Sequence, residues 1–358
     1  MPIFIIKPIG FYCNLRCDYC FYRQYSEYQH RQTIMPKEIV EKVVSEILRV
    51  NPKLAIFNWL GGETLLLGLK FYQKIIELQE KLKNPGQKVI NKLQTNGTLI
   101  NDDWAAFFAK NKFHVGISLD GPQKFHDAYR RDIKGKSVFY KIMNNIKLLQ
   151  NHQVSFGTIS VVNNFNVEHP DEMFDFFLSH GIKRFSFNHT KGCQNEKFAV
   201  NPLKFGQFLI RIFDLWIEKD DPEIVNREIK SVIQAYLGGI YRLCIIGNHC
   251  HKFYGISYDG NVYPCEDEPV QNIYHYGNIM DGFESLLKSD GRKKFIRKIT
   301  ELKKECHACA FWKICKGGCA KDYNIYSITP YKYNSMCKGY QLFFEHVHSV
   351  LKQFNLIV

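Results

Sequence analysis

Twelve cysteines, eleven of them in two sets, constrain this chain of 358 residues more than any other feature. The first set, CNLRCDYC, directly follows an apolar, β-branched run and contains Cys13, Cys17 and Cys20. The second set begins at Cys244 and ends at Cys337. Because we recognise neither a signal-peptide core nor a membrane span, we expect a cytoplasmic protein. Its thiols would stay reduced and bind metal rather than form disulfides.

The first half of the chain alternates between strand and helix signals. Six apolar runs are typical of strands: Ile3–Ile6, Leu54–Leu60, Val89–Leu93, His114–Leu119, Val154–Val162 and Ile182–Phe187. Helical periodicity recurs between them, and such alternation with short loops predicts a parallel sheet with right-handed crossovers. Six units are two fewer than a full barrel has, so the expected fold class is α/β, a partial (β/α)6 TIM-like barrel. Ligands of such a sheet bind at the carboxyl ends of its strands.

The pattern changes after an amphipathic helix through Phe205–Trp216. The sequence Asp-Asp-Pro at 220–222 indicates a boundary, and Asp259–Gly260 predicts a hairpin turn within the cysteine-rich region. A last helix is expected from Tyr340 to Lys352. We therefore expect a barrel over residues 1–220, a cysteine-rich domain with a linker helix at its start over 221–340, and a C-terminal helix over 341–358.

The first cysteine set can bind an iron–sulfur cluster that has one open position. Three thiolates on a short loop can hold three irons of a cubane, which leaves the fourth iron for an exogenous ligand, as a catalytic zinc keeps one position open. A zinc knuckle without its fourth ligand is the alternative. The aromatic Tyr19 before Cys20 and the preceding strand favour the cluster.

CNLRCDYC resembles the signature of the radical S-adenosylmethionine (SAM) superfamily. The resemblance implies that SAM chelates the open iron, and that an electron from the cluster cleaves SAM to a 5′-deoxyadenosyl radical that abstracts a hydrogen atom from substrate. Motifs after successive strands, GGE, QTNG and SLDG, are similar to those that surround SAM in relatives. The SAM-binding residues implied in this way are Tyr19, Gly61, Gly62, Glu63, Gln94, Asn96, Ser118, Asp120 and Arg130.

The second cysteine set resembles the SPASM domain, which holds auxiliary clusters. By that pattern one [4Fe–4S] cluster takes Cys244, Cys250, Cys265 and Cys319, and the other takes Cys306, Cys309, Cys315 and Cys337. The implied cofactors are therefore SAM and three [4Fe–4S] clusters, one that binds SAM and two that are auxiliary. Cys193 is left over, and paired zinc ribbons are the alternative for this set.

The resemblance extends over nearly the whole chain to the anaerobic sulfatase-maturating enzymes and related peptide-modifying maturases. IKPIGFYCNLRCDYCFY, LQTNGTLI, GISLDGP, GNVYPCE and CKGGC carry it. It implies a peptide or protein substrate, oxidation of its Cys or Ser to formylglycine, and an electron donor such as flavodoxin or ferredoxin. In that family a carboxylate removes a proton from the substrate, and an auxiliary cluster accepts the second electron.

Two positions depart from the subfamily pattern. Its catalytic Asp, directly after the YPC cysteine, is Glu266 here, followed by Asp267 and Glu268. We take Glu266 and Asp267 as the candidate catalytic carboxylates. The longer side chain of Glu shifts a base by more than an ångström, and such displacements are costly in rate. The subfamily's QGGEP is LGGET here, so Leu60 replaces a Gln that contacts substrate in relatives. The type of modification therefore stays open: it is formylglycine formation, cross-linking, epimerisation or backbone cleavage.

Two other functional classes are weaker alternatives. One is a radical SAM enzyme that acts on a small molecule, and the other is a non-catalytic cluster protein that binds nucleic acid through its net charge of +13. Basic residues between Arg292 and Lys304 fit the solvated face of a helix. Bound clusters are anionic and offset part of the positive charge, so we expect neither nucleic acid nor a membrane as a partner. Aromatic residues after the third cysteine are expected to be exposed and to line a peptide groove: Phe21, Tyr22, Tyr25 and Tyr28.

Overall fold

The computed structural model describes residues 1–22, 33–190, 197–239, 243–247, 249–266, 273–325 and 330–357. The strands are β1 (Ile3–Ile6), β2 (Leu54–Trp59), β3 (Lys88–Thr95), β4 (His114–Ser118), β5 (Ser155–Val162), β6 (Arg184–His189), β7 (Val225–Asn226), β8 (Phe253–Ile256), β9 (Asn261–Tyr263) and β10 (Gly277–Asn278). The helices are α1 (Lys37–Val50), α2 (Leu69–Leu82), α3 (Asp102–Lys110), α4 (Gln123–Tyr129), α5 (Phe139–Asn151), α6 (Pro170–Ser179), α7 (Pro202–Lys219), α8 (Arg227–Tyr236), α9 (Phe283–Lys288), α10 (Asp290–Leu302), α11 (Trp312–Cys315) and α12 (Cys337–Gln353).

Helix α1 shows how the sequence builds these elements. Its apolar residues recur at helical spacing, and Val43, Val44 and Ile47 on that face are almost completely buried. Pro36 precedes the first turn. Backbone amides there have no acceptor within the helix, so the missing amide proton of proline costs no hydrogen bond. The other helices between the strands of the first half follow the same periodicity.

The contacts divide the chain into two compact units, and the first comprises residues 1–118, 127–156 and 251–296. Its strand order is β10-β9-β8-β1-β2-β3-β4. Strands β1 to β4 pair in parallel, so their carboxyl ends and the loops that follow them meet at one edge. The core of this sheet contains aromatic and aliphatic side chains that are completely buried, such as Phe4 and Phe57.

A strand from the cysteine-rich half of the sequence extends this sheet. Strand β8 pairs in parallel with β1, with Phe4 opposite Tyr254, and β8 and β9 form an antiparallel hairpin. The predicted turn at Asp259–Gly260 is thereby confirmed, and Gly260 adopts φ +84° there. The hairpin alone could be predicted, whereas its pairing with β1 carries no local sequence signal.

The second unit comprises residues 119–126, 157–250 and 297–358. Strands β5, β6 and β7 pair in parallel in that order. Helices α7 and α12 pack closely where Gly206 and Gly339 meet. A side-chain carbon on Gly339 would lie 1.9 Å from the carbonyl oxygen of Pro202, so only glycine fits at this position. His189, Asp322 and Tyr340 form a buried hydrogen-bonded group, in which His189 Nε2 lies 2.9 Å from Asp322 Oδ1.

The predicted alternation of strand and helix is confirmed for all six predicted strands and the helices that follow them. More than half of the strand ends are displaced from their predicted positions, by one or two residues. Three helices carried no prediction, α4, α9 and α11, whereas α8 lies near the start of residues 221–340, where a linker helix is expected. The start of α8 has a signal, since Asn226 caps it by accepting a hydrogen bond from the Ile229 amide. The expectation that Tyr22 is exposed is wrong: it is buried, with its ring 4.7 Å from that of Phe11.

Candidate active site

The three cysteines of the first set lie on the loop that follows β1. Cys17 is buried, whereas Cys13 and Cys20 are half-buried. Hydrogen-bond donors surround two of the sulfurs: the Leu15 amide lies 3.4 Å and Asn96 Nδ2 3.8 Å from Cys13 Sγ, and Arg130 Nη1 lies 3.8 Å from Cys17 Sγ. Burial raises the pKa of the Cys13 thiol above its ordinary value. Iron binding must therefore remove the proton, and the donors would stabilise the resulting thiolates.

Arg130 and Tyr19 lie together beside this loop. The guanidinium carbon of Arg130 is 5.4 Å from the centre of the Tyr19 ring, within the range of a cation–π contact. Arg130 is also buried, so its charge acts in a poorly solvated region. Such a group can stabilise an anionic ligand or a thiolate.

The GGE segment packs directly against the cysteine loop. The amides of Gly62 and Glu63 donate to the carbonyls of Gly10 and Tyr12, both at 2.8 Å. A side-chain carbon at Gly62 would lie 2.0 Å from the Tyr12 carbonyl oxygen, so this approach requires glycine. Gly61 has φ +134°, which other residues rarely adopt. The two glycines thus allow the loop after β2 to contact the loop after β1.

The carboxylate of Glu63 is completely buried and joins two loops. Its oxygens accept hydrogen bonds from the Leu65 amide at 3.0 Å, Thr95 Oγ1 at 2.7 Å and the Asn96 amide at 2.7 Å. Burial raises the pKa of Glu63 even though these bonds favour the charged form. Glu63 therefore orients the loop after β3 in addition to any contact with SAM.

The other predicted SAM-binding residues lie at the carboxyl ends of β3 and β4 or just after them. Gln94 Nε2 donates to Ser118 Oγ at 3.0 Å, and Gly116 leaves room for the Gln94 amide. Asn96 contacts Cys13 through Nδ2, and its Oδ1 accepts from the Thr98 amide at 2.9 Å. Asp120 belongs to the second unit, where it is buried and accepts from the Val161 amide at 2.9 Å.

The candidate base Glu266 is half-buried and follows Cys265 in the first unit. Its carbonyl oxygen accepts a hydrogen bond from Nζ of Lys7 at 2.9 Å, and Lys7 is completely buried at the end of β1. Sequence reasoning missed Lys7, for which the only signal is a cation next to an apolar strand. Four further predicted residues lie outside the described residues: Tyr25, Tyr28, Cys193 and Asp267.

Four cysteines of the second set surround one cavity in the second unit. This cavity of about 200 Å³ is lined by Cys306, Cys309, Cys315 and Cys337 together with aromatic residues. Tyr323 OH lies 3.4 Å from Cys306 Sγ, and Gln341 Nε2 donates to Cys309 Sγ at 3.6 Å. Burial raises the pKa of the Cys315 thiol to about 12. Four thiols around an apolar cavity, with nearby donors, fit a cluster that is ligated entirely by cysteine.

The remaining cysteines are divided between the units. Cys244, Cys250 and Cys319 belong to the second unit, and Cys265 belongs to the first. Within the described ranges, no three His, Cys, Asp or Glu side chains form a group that could hold a single metal ion. A cubane differs from a single ion in that each thiolate meets a different iron.

Comparisons with known proteins agree with the site. The profile of the radical SAM superfamily matches residues 8–177, and that of an iron–sulfur cluster-binding domain, SPASM, matches residues 248–310. Fold and site together define a radical SAM enzyme with a SPASM domain. A serine-type anaerobic sulfatase-maturating enzyme of Bacteroides thetaiotaomicron is 34% identical over 97% of this chain and 89% of its own length. The chain belongs to this family of sulfatase-maturating enzymes.

Two further comparisons support this assignment. A cysteine-type enzyme of Clostridium perfringens is 32% identical over 96% of this chain and 95% of its own length. The structure of native anSMEcpe with bound AdoMet and the Cp18Cys peptide superposes with a TM-score of 0.90 at 30% identity over 99% of both chains. The predicted family, fold class and enzyme class are confirmed. The cofactors are SAM and iron–sulfur clusters. In the parts of the chain that are described, no helix is long and apolar enough to span a bilayer.

Proposed function

We propose that this enzyme oxidises a Cys or Ser side chain in a sulfatase-like peptide segment to formylglycine. The contact that best supports this proposal joins Lys7 to the Glu266 carbonyl, because it ties the segment with the candidate base to the strand that leads into the cysteine loop. A base and a radical source near the same strand end suit an oxidation that removes a hydrogen atom and a proton from one substrate residue. Relatives named for both substrate types align along nearly their whole length.

The roles of the chain's own residues follow from this proposal. With its cluster and SAM bound, the site would supply a SAM-derived radical able to remove one hydrogen atom from the β-carbon of the substrate residue. Cys13, Cys17 and Cys20 hold that cluster, and Arg130 and Asn96 stabilise its thiolates through hydrogen bonds. Glu266 accepts the substrate's thiol or hydroxyl proton. The remaining electron would leave towards an auxiliary site, for which the ligands with the best support are the four cysteines around the second-unit cavity. A Ser substrate would then already be the aldehyde, whereas a Cys substrate would be a thioaldehyde that water hydrolyses to the aldehyde with release of hydrogen sulfide.

The number of clusters and the domain boundaries belong to the same proposal. Eleven cysteines supply three ligands for the SAM cluster and four for each of two auxiliary clusters, which gives three [4Fe–4S] clusters. The proposed domains are a radical SAM domain over residues 1–220, a SPASM domain over 221–340 and a C-terminal helix over 341–358. The two matching profiles, over residues 8–177 and 248–310, fall inside the first two of these ranges. The reducing conditions that this many thiolate ligands need support a cytoplasmic location.

Two residues favour a second candidate function. Leu60 cannot form the substrate hydrogen bond of the Gln in the subfamily, and Glu266 is longer than the subfamily's Asp. Both differences concern substrate rather than SAM or the clusters. A different oxidative modification of a peptide, such as a side-chain cross-link, is therefore the second candidate.

Incubation with peptides distinguishes the two candidates. The enzyme is reconstituted anaerobically with iron and sulfide, reduced with dithionite and given SAM with sulfatase-derived peptides that contain Cys or Ser at the modified position. The proposal predicts 5′-deoxyadenosine together with a peptide that carries an aldehyde. Cleavage of SAM at the same rate with and without peptide, and no change in peptide mass, would rule out these peptides as substrates.

A further inference from the structure

A surface cavity of about 420 Å³ opens in the first unit beside the cysteine loop. Asn14 and Leu15, which lie between Cys13 and Cys17 in the sequence, form part of its lining. Thr98, from the loop after β3, forms another part. The cavity thus reaches from the protein surface to the loop that would hold the SAM cluster.

A turn after α4 forms the outer rim of the cavity. The turn pairs with the cysteine loop, since the Arg16 amide donates to the Arg131 carbonyl at 2.8 Å and Leu15 forms an isolated antiparallel bridge with Asp132. The Asp132 carboxylate accepts from the amides of Lys134 and Lys136, both at 2.8 Å, which fixes the shape of the turn. The turn therefore holds its lysine side chains next to the cysteine loop.

The rim is strongly basic. We call Lys134, Lys136 and Lys141 the lysine rim; all three are exposed and line the cavity. None of the three forms an ion pair with any residue that the structure describes. Arg16 and Arg131 are exposed nearby. Three acidic side chains lie near this surface. Asp132 accepts hydrogen bonds within the turn, Asp127 accepts one from Ser137 Oγ at 2.8 Å, and Asp18 is exposed.

Two large apolar side chains next to the lysine rim in sequence are exposed. Ile133, which lines the cavity, is 63% exposed, and Tyr140, which precedes Lys141 on α5, is 66% exposed. Apolar side chains surrounded by unpaired cations are typical of a surface that binds an acidic protein transiently.

We propose that this surface docks an acidic one-electron carrier protein of the flavodoxin type. The inference rests on the proposed function, because an enzyme that cleaves SAM reductively needs one electron from outside the chain. The carrier loses one electron and the cluster held by Cys13, Cys17 and Cys20 gains it, with no atom transferred. Asn14 offers a short route, since it bonds to Thr98 at 2.9 Å and to Asn96 at 2.9 Å, and Asn96 contacts the Cys13 sulfur.

Charge reversal at the lysine rim tests this proposal in the reconstituted holoenzyme. The test variant is K134E/K136E/K141E. The matched control is K70E/K74E/K81E, which makes the same change in net charge at three exposed lysines of α2 that do not line the cavity. Binding of flavodoxin is measured by calorimetry at low and high salt. Reduction of the cluster is followed by absorbance with reduced flavodoxin and, separately, with dithionite, which needs no docking surface.

The proposal predicts that flavodoxin binds the wild type and the control equally, and binds the lysine-rim variant about tenfold or more weakly at low salt, with a smaller difference at high salt. Reduction by dithionite should be the same in all three proteins. Equal binding by both variants would overturn the proposal, as would equal losses with flavodoxin and dithionite. Binding of an oligonucleotide to the rim without binding of flavodoxin would also overturn it. The calorimetric result does not depend on the peptide reaction, so either proposal can fail alone.

Discussion

At the scale of single residues, the structure adds partners to ligands that the sequence already indicates. Cys13 and Cys17 are recognisable from their spacing, whereas their hydrogen-bond donors Asn96 and Arg130 come from loops that lie far along the chain. Donors to cluster sulfurs shift reduction potentials. With these cysteines as its proposed ligands, the cluster would have electronic properties that depend on residues outside the cysteine motif.

Substitution of Glu266 separates proton removal from radical formation. In Glu266→Gln the side chain keeps its size but cannot accept a proton, so peptide product should fall by about 10²- to 10⁴-fold while SAM cleavage persists. Product and 5′-deoxyadenosine are quantified in the same reaction by mass spectrometry. Glu266→Asp, which restores the subfamily's residue, serves as the control and should retain product. Full product formation by Glu266→Gln would exclude this residue as the base.

At the scale of secondary-structure elements, close contacts between backbones explain positions that composition does not. Strand β8 can approach the hairpin end because Gly255 has no side chain, and a carbon there would lie 1.8 Å from the Cys265 carbonyl oxygen. Gly206 and Gly339 likewise allow the backbones of α7 and α12 to approach each other closely. These glycines allow two elements to meet, and their role is visible only when both elements are known.

The contact between α7 and α12 leads to a stability prediction. Gly339→Ala would push a methyl group into the Pro202 carbonyl, so the free energy of unfolding should fall by at least about 1–3 kcal/mol. Thermal unfolding of the holoenzyme measures the change. Ser349→Ala, at an exposed position of the same helix, is the control and should unfold like the wild type. An unchanged midpoint for Gly339→Ala would contradict the close packing.

Helix α1 carries a buried carboxylate whose effect depends on pH. Burial acts to raise the pKa of Glu46, but hydrogen bonds from Arg49, the Phe283 amide and Lys42 outweigh it and lower the pKa. Because the pKa of Glu46 is lowered on folding, these bonds stabilise the fold at pH values above the ordinary pKa of 4.5. The stabilisation is lost as the pH falls through the lower pKa of the folded state.

Glu46→Gln should therefore lower the free energy of unfolding by about 1–3 kcal/mol near neutral pH. The difference from the wild type should stay constant down to the ordinary pKa and shrink only below it. Thermal unfolding at a series of pH values checks this. Glu41→Gln, at a half-exposed position of α1, should have little effect. If the difference in stability between Glu46→Gln and the wild type grew on acidification, the lowered pKa of Glu46 would be contradicted.

At the scale of the whole molecule, loss of the cluster at the first cysteine loop should leave the cluster at the second-unit cavity intact, and the reverse. C309A/C337A removes two of the four thiols around the second-unit cavity, and C13A/C17A removes two of three from the first loop. Iron content should fall from roughly twelve to roughly eight atoms per chain in both variants. Only C13A/C17A should lose SAM cleavage, whereas C309A/C337A should keep it and lose the peptide product.

Iron analysis and 5′-deoxyadenosine assays on the same preparations measure these outcomes. The two double variants control for each other, because each loses a similar amount of iron. Loss of SAM cleavage in C309A/C337A would mean that the cavity site supports the fold of the active site rather than a separate electron-transfer step.

The sequence by itself determined the chemistry of this protein, its α/β class and its family. Cysteine motifs and strand–helix alternation are encoded by short-range spacing, so Cys13, Cys17 and Cys20 could be predicted as cluster ligands without a structure. Only the tertiary structure decided which residues complete the site. Lys7 and Glu266 are 259 residues apart in the chain and meet because β8 pairs with β1. Such pairings depend on packing between distant segments, and no local pattern records them.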